Sequence, residues 1–206
     1  MTRLLIPRTK FNIPKDVREI HSAIIVCNHL SYLDPILLVS LFQRQQTIVK
    51  YSFFKVPFFG SLLKNSGYIS SGASDLLGPA MINNLEDAKK RLAAGGILFV
   101  FPEGTRSRDG KLAPFNKGVF TIARYCQAPL KLILISGTNK LFPPENYLFN
   151  THDFNQITLE LIGSLEPDYK GSNFSISALA DQARNIFEEK MMKIESRKEK
   201  PKPVNS

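Results

Sequence analysis

Apolar residues recur along the chain in two rhythms that take turns. Short runs rich in β-branched side chains predict strands at Ser22–Cys27, Thr47–Tyr51, Tyr68–Ser70, Ile97–Phe101 and Leu130–Ile135. An alternating run predicts another over Gln156–Leu165, nearer a sheet edge. Between them, apolar positions three and four apart predict helices. Asp34-Pro35 opens one that reaches Phe42, since aspartate caps a helix and proline suits its first position. Phe54, Phe58 and Leu62 mark a second over Phe53–Leu63. Leu77, Met81, Leu85, Ala88 and Leu92 form the stripe of a third, from Asp75 to Ala94, which Gly95-Gly96 stops. A fourth covers Asn116–Cys126 and a long last one Ser175–Ser196.

Strands alternating with helices predict an α/β fold, a largely parallel or mixed sheet flanked by helices in a single domain. The run ILFVF at Ile97–Phe101 is apolar throughout, as in a central parallel strand. Sites in such sheets form beyond the carboxyl ends of strands. That rule singles out Cys27-Asn28-His29 and the segment after Phe101. The expected boundaries are a basic N-terminal segment over 1–20, the domain over 21–196 and a basic disordered tail over 197–206.

Composition narrows the function classes. No stretch of 18 apolar residues occurs, so no membrane-spanning helix is expected. Met1–Pro7 lacks the apolar core of a secretory leader, which places the chain in the cytoplasm or on the cytoplasmic face of a membrane. Cys27, Cys126 and the three histidines show no ligand spacing, so no metal is expected. Of the net charge of +9, +3 falls within residues 1–20 and +3 within 193–206. An anionic lipid surface would attract such basic ends, and they also read as simply solvated. No stacking platform or groove-reading motif supports nucleic-acid binding.

Two segments carry chemistry. In Asn28-His29-Leu30-Ser31-Tyr32-Leu33-Asp34, a regular helix would turn His29 and Asp34 about 140° apart. They meet only if His29 lies in the turn and Asp34 marks the helix start. A carboxylate on one imidazole nitrogen would leave the other to take a proton from a hydroxyl. Asp34 also reads as an ordinary cap beside an incidental histidine. The second segment, Pro102-Glu103-Gly104-Thr105-Arg106-Ser107, offers a close backbone approach at glycine, an acceptor at Glu103 and a planar guanidinium suited to phosphate. By itself it also reads as a polar surface loop ending in the Asp109-Gly110 turn.

Together these segments closely resemble the glycerolipid acyltransferase family, the 1-acylglycerol-3-phosphate (lysophosphatidate) acyltransferases. That family pairs an N-H-x-x-x-x-D block with F-P-E-G-T-R-S, matched here by Asn28, His29 and Asp34 and by Phe101–Ser107. Lys50, Pro57, Gly60, Gly118 and Ala128-Pro129 extend the likeness over roughly residues 21–196. The resemblance implies acyl transfer to a lysophospholipid hydroxyl, giving phosphatidate when the acceptor is 1-acylglycerol 3-phosphate. The donor would be acyl-CoA or acyl carrier protein, with no cofactor and no covalent acyl-enzyme. It implies His29 as general base and Asp34 as its partner. Substrate contacts would fall to Asn28, Glu103, Gly104, Thr105, Arg106 and Lys117, at a peripheral membrane surface.

Two departures stand out. Gly67–Ala73 lacks the arginine of the family's G-x-I-x-x-x-R block, and Leu132 replaces a proline, with Lys131 just before it. Both bear on the acceptor: either it is another lysolipid, or Arg106, Lys117 or Lys131 supplies the lost charge. The Phe53–Phe59 cluster reads as core or as the lining of an acyl groove. A serine hydrolase using Ser31 or Ser107 is a rival, although no G-x-S-x-G elbow occurs. A non-catalytic lipid-binding relative is another.

Overall fold

The computed structural model describes residues 8–50, 55, 61, 68–71, 79–143 and 148–199. In chain order the elements are β1 (Thr9–Asn12), α1 (Lys15–Arg18), β2 (Ala23–Cys27), α2 (Leu33–Leu41), β3 (Gln45–Lys50) and β4 (Ile69–Ser71). They continue with α3 (Pro79–Ala93), β5 (Ile97–Val100), α4 (Lys117–Cys126), β6 (Leu130–Ser136), α5 (Thr138–Leu141), β7 (Asn155–Leu165) and α6 (Ile176–Glu199). The seven strands lie in the order β1-β7-β6-β2-β5-β3-β4. Every neighbouring pair is parallel except β6 with β7. The fold is therefore a mixed α/β sheet with helices on it, as the alternation of patterns predicts.

The two faces of the central strands sort the core into two layers. Ile24 and Val26 of β2, Leu98 and Val100 of β5, and Leu130, Leu132 and Leu134 of β6 meet Ala88 and Leu92 of α3, Phe120 and Ala123 of α4, and Ala183 and Phe187 of α6. The alternate residues Ile25, Cys27, Phe99, Ile133 and Ile135 face Val17 of α1, Leu38 of α2 and Leu141 of α5. Period-two side chains on a sheet covered from both sides explain why these strands read as unbroken apolar runs. Gly95, at φ +88°, ends α3. A Cβ on Gly96 would lie 2.8 Å from the Arg91 carbonyl oxygen, so only glycine fits where the chain turns back into β5.

Three expectations need correction. The segment 1–20 is more than a basic lead-in: β1 pairs with β7 from Thr9↔Asn155 to Asn12↔Thr158, and α1 buries Val17. A four-residue strand with one large apolar side chain, Phe11, gives no periodic signal. The disordered tail does not begin at residue 197, because α6 runs on to Glu199; the Lys, Arg and Glu there are good helix formers. The helix opened by Asp34-Pro35 begins at Leu33, and Asp34 is not its cap. The helix and aromatic cluster expected within 53–63 lie outside the described residues, apart from Lys55 and Ser61, as do Asp75, Gly67, Gly72 and Ala73.

Candidate active site

Strand β2 sits between β5 and β6 and runs parallel to both, so the segments leaving their carboxyl ends converge. The turn after β2 is pinned first by Asn28. Its side-chain amide donates to the Ile135 carbonyl (2.9 Å) and accepts the Ile135 N–H (2.7 Å), tying the end of β2 to β6. Asn28 is almost wholly buried with both its polar groups used. It anchors the turn to β6.

His29 follows in the turn. Asp34, wholly buried one residue into α2, reaches back rather than forward along its helix. Its Oδ2 accepts from His29 Nδ1 (2.9 Å), the Leu30 N–H (2.6 Å) and the Ser31 N–H (2.7 Å). The carboxylate thus closes the turn and orients the ring through one oxygen. Because a carboxylate oxygen can only accept, this bond fits the tautomer with its proton on Nδ1, in which the lone pair lies on Nε2. Nε2 has no hydrogen-bond partner among the described residues. The imidazole lies on the Phe101 ring, centroids 4.2 Å apart and planes within 22°, which covers one of its faces.

The backbone of His29 is held by the segment after β5. Its N–H donates to Glu103 Oε1 (3.0 Å), and its carbonyl accepts the Ser107 N–H (2.8 Å). Glu103 Oε2 accepts the Ala113 N–H (2.9 Å), so both oxygens of this buried carboxylate are committed to backbone. Burial pushes the Glu103 carboxyl above its ordinary range; the bonds from Ala113 and His29 and the nearby imidazole pull it back in part. Gly104 (φ +66°) and Thr105 are exposed at the tip of this segment.

Arg106 returns from that tip to the turn. Its guanidinium carbon lies 3.4 Å from the centroid of the Tyr32 ring, and its Nη1 is buried with no hydrogen-bond partner. Among the described residues it forms no ion pair within 4.0 Å. The other two candidate bases are engaged elsewhere. Lys117 Nζ donates to Ser177 Oγ at the start of α6 (2.8 Å). Lys131 sits level with Ile25, short of the carboxyl end of β2, and its Nζ donates to Ser164 Oγ on β7 (2.6 Å).

Neither serine of the hydrolase alternative is a poised nucleophile. Ser31 is buried and donates to the Phe142 carbonyl (3.0 Å), while Ser107 Oγ donates to Asp109 (3.2 Å). Burial, reinforced by the Asp34 charge, pushes the Cys27 thiol well above its ordinary value and keeps it protonated.

Residues 8–136 match the profile of the Acyltransferase family, a span holding the whole histidine turn and the Glu103–Arg106 segment. The chain belongs to that family. Among curated acyltransferases, it is 34% identical over 166 residues to the chloroplastic 1-acyl-sn-glycerol-3-phosphate acyltransferase BAT2 of Brassica napus, covering 81% of this chain and 45% of that one. It is 34% identical over 132 residues to the 1-acyl-sn-glycerol-3-phosphate acyltransferase of Saccharomyces cerevisiae, covering 62% and 43%. The matched part thus spans less than half of each of these two relatives. The crystal structure of the 1-acyl-sn-glycerophosphate acyltransferase PlsC from Thermotoga maritima superposes with a TM-score of 0.65 over 90% of this chain and 72% of that one. At 23% identity, this likeness speaks for the acyltransferase fold.

Three contacts were not read from the sequence: the stacking of Phe101, itself part of the F-P-E-G-T-R-S block, on His29, the Tyr32 ring under Arg106, and the Ala113 N–H that anchors Glu103. An aromatic residue three positions after the histidine was a visible signal for Tyr32. The other two depend on contacts distant in sequence.

Proposed function

We propose that this protein is an O-acyltransferase that moves a fatty acyl group from acyl-CoA or acyl carrier protein to the free hydroxyl of 1-acylglycerol 3-phosphate, forming phosphatidate. The observation that carries the reading is the His29 Nδ1–Asp34 Oδ2 bond of 2.9 Å, with Nε2 left unpartnered among the described residues, in a chain of the Acyltransferase family. The acceptor hydroxyl gives its proton to His29 Nε2 as its oxygen attacks the thioester carbonyl carbon. Asp34 stabilises the resulting imidazolium. The tetrahedral intermediate then collapses, breaking the carbon–sulfur bond, and the thiolate recovers the proton from His29. Arg106, with a buried unpartnered N–H, suits the acceptor phosphate.

A peripheral membrane position, on the cytoplasmic face, fits the exposed surface beside the turn. Tyr32, Ile36 and Val39 follow one face of α2, all at least 40% exposed. Tyr32 contacts Phe142, which contacts the exposed Phe149 next to Leu148. No helix among the described residues is long and apolar enough to cross a membrane. A contiguous apolar face of this kind marks a lipid or partner surface.

Labelled acyl-CoA, and separately acyl carrier protein, incubated with and without 1-acylglycerol 3-phosphate tests the reading. Labelled phosphatidate that requires the acceptor is expected. Equal release of free fatty acid in both cases would make the protein a hydrolase, and vesicle binding without turnover would make it a non-catalytic lipid binder.

A further inference from the structure

We propose that Tyr32 is a specificity-determining positioning residue, whose ring is the platform that presents Arg106 to the phosphate of the acceptor; this rests on the acyltransferase reading above. At 3.4 Å from the ring centroid, the guanidinium carbon is at the contact distance of two flat groups. A guanidinium standing on edge there would drive its N–H hydrogens into the ring, so the two faces lie against each other. Stacking of this kind uses the face of the cation and leaves its N–H donors, which lie in its plane, for a ligand. One of them, on Nη1, is buried and unpartnered. A buried donor without an acceptor is costly, and an incoming anion removes that cost.

The position of Tyr32 in the chain makes the platform selective. It lies inside the same turn as His29, and Asp34 closes that turn through three hydrogen bonds. The base and the support of the fork are therefore parts of one rigid piece, although Arg106 itself arrives from another segment. In 1-acylglycerol 3-phosphate, the carbon bearing the free hydroxyl adjoins the carbon bearing the phosphate. A fixed spacing between fork and base rewards acceptors of that pattern and penalises those lacking the phosphate. With Lys117 and Lys131 bonded to Ser177 and Ser164, Arg106 is the one of these three bases that is stacked against this turn.

Steady-state kinetics with 1-acylglycerol 3-phosphate, uncharged 1-acylglycerol and acyl-CoA test this, on the wild type, Tyr32→Phe, Tyr32→Leu, Tyr32→Gln and Arg106→Ala. Tyr32 is half-exposed, and thermal melts confirm which variants are folded. Tyr32→Leu and Tyr32→Gln should each raise KM for the phosphate acceptor about three- to thirtyfold, the range of a partly desolvated cation–aromatic contact. KM for acyl-CoA should stay within about twofold, and preference over 1-acylglycerol should fall in parallel. Tyr32→Phe keeps a face and should restore most of the affinity. In the Arg106→Ala background, Tyr32→Leu should add less than about twofold. Equal changes in both substrates' KM, a loss confined to kcat, or an undiminished effect in that background overturns the inference alone. A wild type that makes no phosphatidate overturns the reading beneath it as well.

Discussion

Two buried carboxylates serve one histidine, and they do so from different regions. Asp34 belongs to the turn after β2, five residues from His29, and takes the imidazole together with two N–H groups of that turn. Glu103 belongs to the segment after β5 and takes the His29 backbone N–H and the Ala113 N–H. One orients the ring through a charge-assisted bond, while the other fixes the peptide on which the ring is mounted. Loss of the first should be felt in chemistry and loss of the second in stability. The contrast teaches that two acids close to one histidine need not form an acid–base pair. What separates them is the atom of the histidine each one touches.

The sharpest way to break the contrast is to remove the ring. His29→Ala should lower acyl transfer by about 10²–10⁴ or more, the usual value of a positioned base. The melting temperature should move little, since the backbone bonds to Glu103 and Ser107 survive. Turnover near wild type in the folded variant would remove His29 from the chemistry.

Asp34→Asn comes next. An amide oxygen can occupy the Oδ2 position and accept the three bonds, so the fold should hold. The charge that stabilises imidazolium is gone, and activity should fall on the order of 10² or more; the equivalent change in the serine-protease triad costs about 10⁴. Asp34→Ala should lose activity and also stability, because the buried Ser31 N–H and its neighbour Leu30 N–H lose their acceptor at about 1–3 kcal/mol for a fully buried group. Full activity in Asp34→Asn would reduce Asp34 to a turn-closing residue.

How much of this was legible beforehand follows the range of each interaction. The alternation of β-branched runs and helical stripes announced the α/β fold, because strands covered on both faces leave an apolar signature. The spacing of His29 and Asp34 allowed a pair but equally an ordinary cap beside an incidental histidine; the structure makes the pair. The spacing misled about what Asp34 bonds: it suggested a forward cap, whereas the carboxylate reaches back to Leu30 and Ser31. The backbone partners of Glu103 and Asn28 lie 74 and 107 residues away in sequence. No local pattern encodes such partners. β1 was invisible for the same reason, its strand character arising from its register with β7.

Asn28→Ala probes the scaffold in isolation. It strips both the Ile135 carbonyl and the Ile135 N–H of their side-chain partner inside the core. Two buried backbone groups left unsatisfied should cost about 2–4 kcal/mol, read as a lower denaturation midpoint. The acceptor KM of the molecules that remain folded should change much less than in Tyr32→Leu. A large rise in KM with normal stability would return Asn28 to the substrate.

The mildest test is Glu103→Gln, and it separates the two carboxylates by pH. Glutamine keeps one oxygen, but its amide nitrogen must face either the His29 or the Ala113 N–H, and a donor cannot satisfy a donor. That mismatch should cost about 1–2 kcal/mol at neutral pH. Burial raises the carboxyl of Glu103 above its value in the unfolded chain. Below the unfolded value both states hold the proton, and the cost of burying the charge is absent. As pH rises through the window up to the folded value, the unfolded state ionises first and the wild type loses stability from this group. The glutamine variant has no such proton. The difference in melting temperature between the two proteins thus reports Glu103 together with its charge coupling to His29 and Asp34. The wild type's advantage should therefore widen as pH is lowered from neutral through that window. A constant advantage would mean that folding leaves this carboxyl at its unfolded value, and one that narrows would mean that the Glu103 carboxylate is stabilised, rather than strained, by its burial beneath His29.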